Sequence, residues 1–251
     1  MLRDIGVLYR HYVRQTLRSP VWMLFALFQP LCWLALFAPL LDRLTGLEGF
    51  PPGGALNAFT PGMLVLMAVF SSTFVGFGLV PEMRSGLLER YRVSPVSRAA
   101  LLLGRSCRDL TVLTTQATLL VLVALAMGFR PSAAGLLLVF PLLLLLGLAA
   151  GTVSYRLALL LKSEDTLAQT VNFFTLPITL LSGITLPLTF APGWIRAIAI
   201  ANPMAHAVDA ARALVAGRLD DPAIPVAYAF AALLAGLALW RTLRAFQRSQ
   251  A

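Results

Sequence analysis

The densest concentration of interacting side-chain types is Glu82-Met83-Arg84-Ser85-Gly86-Leu87-Leu88-Glu89-Arg90-Tyr91-Arg92, continued by Val93-Ser94-Pro95-Val96-Ser97-Arg98. Charges of both signs are interleaved with Leu87, Leu88 and Tyr91. That mixture suits docking on another protein, with polar contacts around an apolar centre; the alternative is a solvated loop. Pro95 should end a helix, and Ser97 is placed to cap the one that follows. Glu82 and Asp109 flank the segment, with Arg105 and Arg108 available as partners. A structural ion pair is the preferred reading over a proton relay.

Catalytic and metal chemistry have little to work with. The chain has 2 His and 2 Cys, and His11 and His206, like Cys32 and Cys107, are far apart in sequence. They imply neither a disulfide nor a metal site. No GxxxxGK[ST] phosphate loop occurs, so the chain is not expected to bind ATP in that way by itself.

The frame that positions these residues is apolar. Residues 20–41, 59–80, 110–129, 131–155, 166–195 and 223–240 contain no Asp, Glu, Lys or Arg, and a helix needs about 20 apolar residues to cross the hydrocarbon layer. Hydrophobic residues make up 59% of the chain and charged residues 12%. The first run is too long and wrongly flanked for a cleavable signal peptide. Of the 20 basic residues, fifteen fall before the first run, after the second, after the fourth and after the sixth; Arg43, Arg130, Arg196, Arg212 and Arg218 lie on the other side. Basic residues favour the cytoplasmic side, so both termini are expected there. The net charge of +9 then reflects topology and attraction to anionic lipid, and no nucleic-acid partner is expected.

Residues 2–18 read as an amphipathic helix. Arg3, Arg10, Arg14, Arg18, Asp4, His11 and Gln15 fall on one arc, and Leu2, Ile5, Leu8, Tyr9, Tyr12, Val13 and Leu17 on the other, with only Val7 misplaced. Such a helix is expected at the cytoplasmic headgroup boundary, as an anchor, a platform for a partner, or both. Arg130-Pro131 should turn the third and fourth spans into a hairpin, and Gly147 and Gly151 permit a close contact, read as packing within the chain. The fifth run is interrupted by Pro177, Pro187, Pro192 and Pro203. Irregular backbone at membrane depth needs protein or water to cover it. One span over about 166–187 followed by a short re-entrant hairpin over about 193–217 is therefore expected, with Asp209 and Arg212 one turn apart as an ion pair bracing it.

With these features in place, the chain resembles the permease subunits of ABC type-2 exporters, particularly the daunorubicin-resistance and polysaccharide-export branch. The resemblance rests on Glu82…Gly86…Glu89-Arg90…Pro95…Arg98…Gly104-Arg105 and on Leu181-Ser182-Gly183-Ile184-Thr185-Leu186-Pro187…Pro192-Gly193-Trp194…Asn202-Pro203…Asp209…Arg212…Gly217. It covers essentially all 251 residues.

The resemblance implies an all-α membrane protein in one transmembrane permease domain, 1–251. It would have six transmembrane helices, an amphipathic interfacial helix over 1–19, a cytoplasmic coupling segment over 82–98 and an outer re-entrant hairpin over 188–217. Two copies would pair, and two cytoplasmic ABC ATPase subunits, holding ATP and Mg, would dock on a coupling helix of residues 82–94. Glu82, Arg84, Gly86, Leu87, Glu89, Arg90, Tyr91 and Arg92 are the expected coupling residues. Phe70, Ser72, Phe74 and Phe77 of span two and Gln169, Asn172, Phe173, Phe174 and Thr175 of span five are the expected pathway. Pro187, Trp194, Asn202, Pro203, Asp209 and Arg212 are expected to shape the outer hairpin. Location in the cell membrane, contact with lipids and no catalytic site in this chain complete the expectation.

Three rival readings have weaker support in the residues. Asp209-Ala210-Ala211-Arg212…Gly217…Asp220-Asp221 is superficially similar to the acidic motif of phosphatidyl-alcohol transferases, but the second upstream acid is missing and the Arg-to-Gly spacing is too short. An ion-coupled carrier would ordinarily hold charged residues inside its spans and show inverted repeats, and neither is visible. A purely structural role is the third. For cargo, a hydrophobic or amphipathic small molecule such as a drug or antibiotic is preferred to a lipid-linked glycan or polysaccharide, because no stretch between the apolar runs is long enough for an external domain to receive a polymer.

Overall fold

The computed structural model describes residues 2–18, 20–42, 54–86, 97–184 and 191–248, and every regular element among them is helical. In chain order these are α1 (Leu2–Leu17), α2 (Pro20–Asp42), α3 (Gly54–Thr73), a 3-10 turn (Val75–Gly78), α4 (Leu79–Arg84), α5 (Arg98–Ala126), α6 (Ala133–Leu161), α7 (Glu164–Leu180), α8 (Gly193–Ala199), α9 (Pro203–Val215) and α10 (Ala223–Arg248).

Four helical segments among the described residues are long and apolar enough to cross a membrane: Gly54–Arg84, Ala99–Ala126, Ala133–Leu161 and Ala223–Arg244. The first joins α3, the 3-10 turn and α4 into one rod. Elsewhere, α2 offers the shorter apolar stretch Phe28–Phe37. Helix α7 has 17 residues, about 25 Å of rise, and residues 185–190 beyond it lie outside the described set.

Helix α3 is the centre of the bundle. Phe59, Met63, Leu64, Val65, Met67 and Ala68 are buried and meet Leu34 of α2, Leu113, Ala117 and Leu120 of α5, and Val139, Leu142 and Leu146 of α6. From the remaining side come Val208, Ala211 and Leu214 of α9 and Ala227 and Ala231 of α10. Apolar surface here is divided between protein and lipid: Leu137, Leu160, Phe173 and Leu180 are exposed, as expected where the solvent is hydrocarbon rather than water.

Small residues set the closest approaches. At Gly135 an added Cβ would overlap the Leu214 carbonyl, so α9 crosses the start of α6 backbone to backbone; Ser132 N donates to Val215 O at 2.8 Å beside it. An added Cβ at Gly147 would lie 2.5 Å from Leu113 Cδ2 and 3.0 Å from Ser72 Oγ. The Gly147/Gly151 spacing therefore serves packing within the chain, against α3 and α5. The α5–α6 turn is pinned by Asn57, whose Oδ1 accepts from Arg130 N at 3.1 Å while its Nδ2 donates to Arg130 O at 3.4 Å.

Ser97 caps the helix that leads into the third span, as its position after Pro95 implies: α5 starts at Arg98, and Ser97 accepts from Ala100 N. The charged stretch before Leu110 is thus helical, because its ionic groups find partners on other elements. Of the helix expected over 82–94, residues 87–94 lie outside the described residues, and the described part, 82–86, is helical only to Arg84. Helix α4 stops at Arg84, and Gly86 takes φ 70°, a conformation that suits glycine.

Candidate functional site: a polar cluster at the root of the 82–98 segment

Glu82 and Arg105 form an ion pair across the base of this segment, one from α4 and one from α5. Arg105 is only 4% exposed. Its Nε donates to Tyr12 Oη at 3.0 Å, and its guanidinium lies 4.7 Å from the Tyr12 ring centroid. Helix α1 reaches this position because its apolar face, Ile5, Leu8 and Tyr12, packs on Ala100 and Leu101. Gly104 makes room: an added Cβ there would be 2.9 Å from Leu8 Cβ. The buried side of the amphipathic helix is therefore used on α5, leaving Val7 on the exposed side.

A second pair continues the cluster one turn further along α5. Arg108 Nη1 is 3.2 Å from Asp109 Oδ1, and Tyr155 Oη of α6 donates to Asp109 Oδ2. Tyr9 of α1 shares a hydrogen bond with Thr111 at 3.1 Å. Buried charges must be paired or hydrogen-bonded, and here four elements cooperate to do it. Chemically the cluster is a joint: its ion pairs and the two tyrosine hydroxyls hold α1, α4, α5 and α6 together, while Arg108 Nε and Asp109 Oδ1 are buried without a hydrogen bond.

The expected coupling residues divide at Gly86. Glu82 belongs to the joint, Arg84 makes an exposed contact with Glu164 at 3.9 Å, and Gly86 closes the turn with its N–H to Met83 O at 3.2 Å. Leu87, Glu89, Arg90, Tyr91 and Arg92 lie outside the described residues.

The expected pathway residues are not gathered into one cavity within the chain. Phe70, Phe74 and Phe77 form a tilted stack with centroids 5.0 and 5.4 Å apart. Phe74 and Phe77 lean on a cluster that includes Tyr155, Leu167 and Val171. Ser72 is buried against Gly147. On α7, Gln169, Asn172, Phe173 and Phe174 are exposed and Thr175 is half-buried, with Phe173 and Phe174 edge to face at 5.2 Å.

Sequence reasoning passed over a groove of about 400 Å³ on α5, lined by Thr111, Thr114, Thr115, Thr118 and Leu119. The spacing i, i+3, i+4, i+7 was its visible signal. Each threonine hydroxyl donates to the carbonyl four residues back, at 2.7–2.9 Å.

At the other end of the bundle, Asn202 caps α9 by accepting from Met204 N at 3.0 Å, and Pro203 opens that helix. Trp194 is exposed on α8, while Pro187 is outside the described residues. The Asp209–Arg212 brace is present only as a long contact of 3.9 Å. The guanidinium hydrogen-bonds instead to the carbonyls of Ala58, Gly183 and Ile184, at 2.9, 2.8 and 3.4 Å.

Comparison with known proteins places this architecture. The family model described as ABC-2 type transporter matches residues 3–215. A putative transport permease, ycf38, of Cyanophora paradoxa is 29% identical over 219 residues, covering 85% of this chain and 74% of that protein. The daunorubicin resistance ABC transporter permease protein DrrB1 of Streptomyces coeruleorubidus is 26% identical over 200 residues, 79% of this chain and 70% of the relative. A probable doxorubicin resistance ABC transporter permease protein, DrrC, of Mycobacterium tuberculosis (strain ATCC 25618 / H37Rv) is 29% identical over 164 residues, 64% of this chain and 59% of its own length. The chain is therefore a multi-pass membrane protein and a transmembrane permease subunit of an ABC transporter, belonging to the ABC-2 type transporter family.

Proposed function

We propose that the chain exports a hydrophobic or amphipathic small molecule as one of two identical permease subunits, driven by two cytoplasmic ABC ATPases that bind ATP and Mg. It crosses the membrane six times with both termini in the cytoplasm, and residues 193–217 re-enter from the outer side. Residues 82–98 dock on the ATPase, with Glu89, Arg90 and Arg92 making polar contacts and Leu87 and Tyr91 filling its cleft. The observation that carries the reading is the joint at the base of that segment. A push on residues 87–96 is delivered at once to Glu82 and Arg105, and through Tyr12 to α1. A partner biases two conformations only through differential contact with them, and a segment rooted in four elements makes such contact consequential.

The pathway is assigned to Phe70, Phe74 and Phe77 together with Gln169, Asn172, Phe173, Phe174 and Thr175. The exposed α7 face acquires its second wall from the other copy. Aromatic side chains with a few polar groups suit amphipathic cargo, in keeping with the drug-resistance names of two relatives. The test is drug efflux from vesicles holding the chain and its cognate ATPase. ATP-dependent daunorubicin efflux is expected; efflux driven by a pH gradient without the ATPase would replace this reading with an ion-coupled carrier.

A further inference from the structure

The polar side chains of α9 hold the end of α7. Ser182 N turns to Thr179 O at 3.2 Å, away from the Ile178 carbonyl four residues back, and Asn202 Nδ2 donates to that carbonyl at 2.7 Å. Beyond the helix, Gly183 at φ 70° and Ile184 present carbonyls to Arg212 Nη2 at 2.8 and 3.4 Å. The same guanidinium reaches α3, with Nε donating to Ala58 O at 2.9 Å. Arg212 is 8% exposed. Gly62 of α3 closes the junction, since an added Cβ would sit 3.3 Å from Ile184.

Three features separate this arrangement from ordinary packing. The acceptors other than Ala58 O belong to the end of α7 and the irregular turn after it, where carbonyls lack intrahelical donors and water can replace a protein donor. They also form the negative end of the α7 dipole, which favours a cation. A planar guanidinium is the side chain able to bond several such carbonyls together. Moreover, α3 continues through the 3-10 turn into α4 as one rod. Ala58 and Glu82 lie near its two ends, about 36 Å apart by helical rise, so this segment is the covalent path between the two sites.

We propose that Arg212 is a positioning residue that latches residues 183–184, at the end of α7, to α3 in the resting state, and that ATP-driven movement of the 82–98 segment opens this latch. The proposal rests on the permease reading above. It assigns Arg212 to the transport cycle rather than to bracing α9 through Asp209.

The test uses Ser182→Cys, a buried position beside the latch, in a chain carrying Cys32→Ser and Cys107→Ser, reconstituted with its ATPase in lipid nanodiscs. The labelling rate with N-ethylmaleimide is measured without nucleotide and after trapping with Mg-ATP and vanadate. With Arg212 intact, labelling should be slow without nucleotide and at least tenfold faster when trapped. With Arg212→Gln, or with Arg212→Lys, which keeps the charge and a better prospect of folding, it should be fast in both conditions. ATP hydrolysis with labelling indifferent to nucleotide when Arg212 is intact would overturn the latch alone. No hydrolysis in the complex containing Arg212 would overturn the permease reading and the latch with it.

Discussion

Arg105 on α5 and Tyr12 on α1 meet in two ways: the guanidinium Nε donates to the phenol oxygen at 3.0 Å, and the guanidinium carbon stands 4.7 Å from the ring centroid. Because Arg105 also pairs with Glu82, a single buried side chain connects the N-terminal helix to the rod formed by α3 and α4. The joint is sensitive to loss of any one partner, since breaking a buried pair leaves an uncompensated charge.

Replacing Glu82 by Gln should therefore lower stability by about 3–5 kcal/mol, read as a fall in thermal midpoint in detergent. Glu82→Gln combined with Arg105→Met removes both charges and should recover part of the loss. Equal destabilisation by the single and double variants would argue against a coupled pair.

Tyr155→Phe deletes one donor and leaves the buried Asp109 carboxylate with a missing partner. A loss of about 1–3 kcal/mol is expected. Asp109→Asn in the same background should soften it, because the orphaned charge is then gone; an unchanged melting curve for Tyr155→Phe would contradict the hydrogen bond.

The glycines discriminate between helix propensity and packing. Gly135→Ala forces the α6 and α9 backbones apart and should destabilise by about 1–3 kcal/mol or more. Gly6→Ala on α1 meets nothing within 4 Å and should stabilise by up to about 1 kcal/mol. Paired thermal melts check both signs.

Phe173→Ala and Phe174→Ala act on an exposed face of the single chain. Each should leave the unfolding free energy within about 0.5 kcal/mol while reducing drug efflux at unchanged expression. Destabilisation of the subunit instead would return these rings to ordinary packing.

Much of the frame was legible because transfer of apolar residues into lipid is recorded directly in residue type. The uncharged runs around 59–80, 110–129, 131–155 and 223–240 each fall largely on a helix long enough to cross, and Ser97 shows its cap in its identity and position. The pairing of Glu82 and Asp109 with Arg105 and Arg108 was legible from charge and position. The uncharged partners Tyr12 and Tyr155, 93 and 46 residues from Arg105 and Asp109, carried no such signal. Arg212 was legible in part: its pair with Asp209 one turn away is present at 3.9 Å, but its shorter bonds go to backbone carbonyls, which carry no residue signature. The break at Gly86 was visible only as a glycine, since its positive φ depends on where α4 must end.

The central claim, that this permease is worked through the segment after its second crossing, is tested most directly by vanadate-sensitive ATP hydrolysis and drug efflux measured together in vesicles holding the chain and its ATPase. Glu89→Ala with Arg90→Ala should leave the subunit folded and hydrolysis measurable while efflux falls at least tenfold. Efflux at the unsubstituted level in that variant would contradict the account.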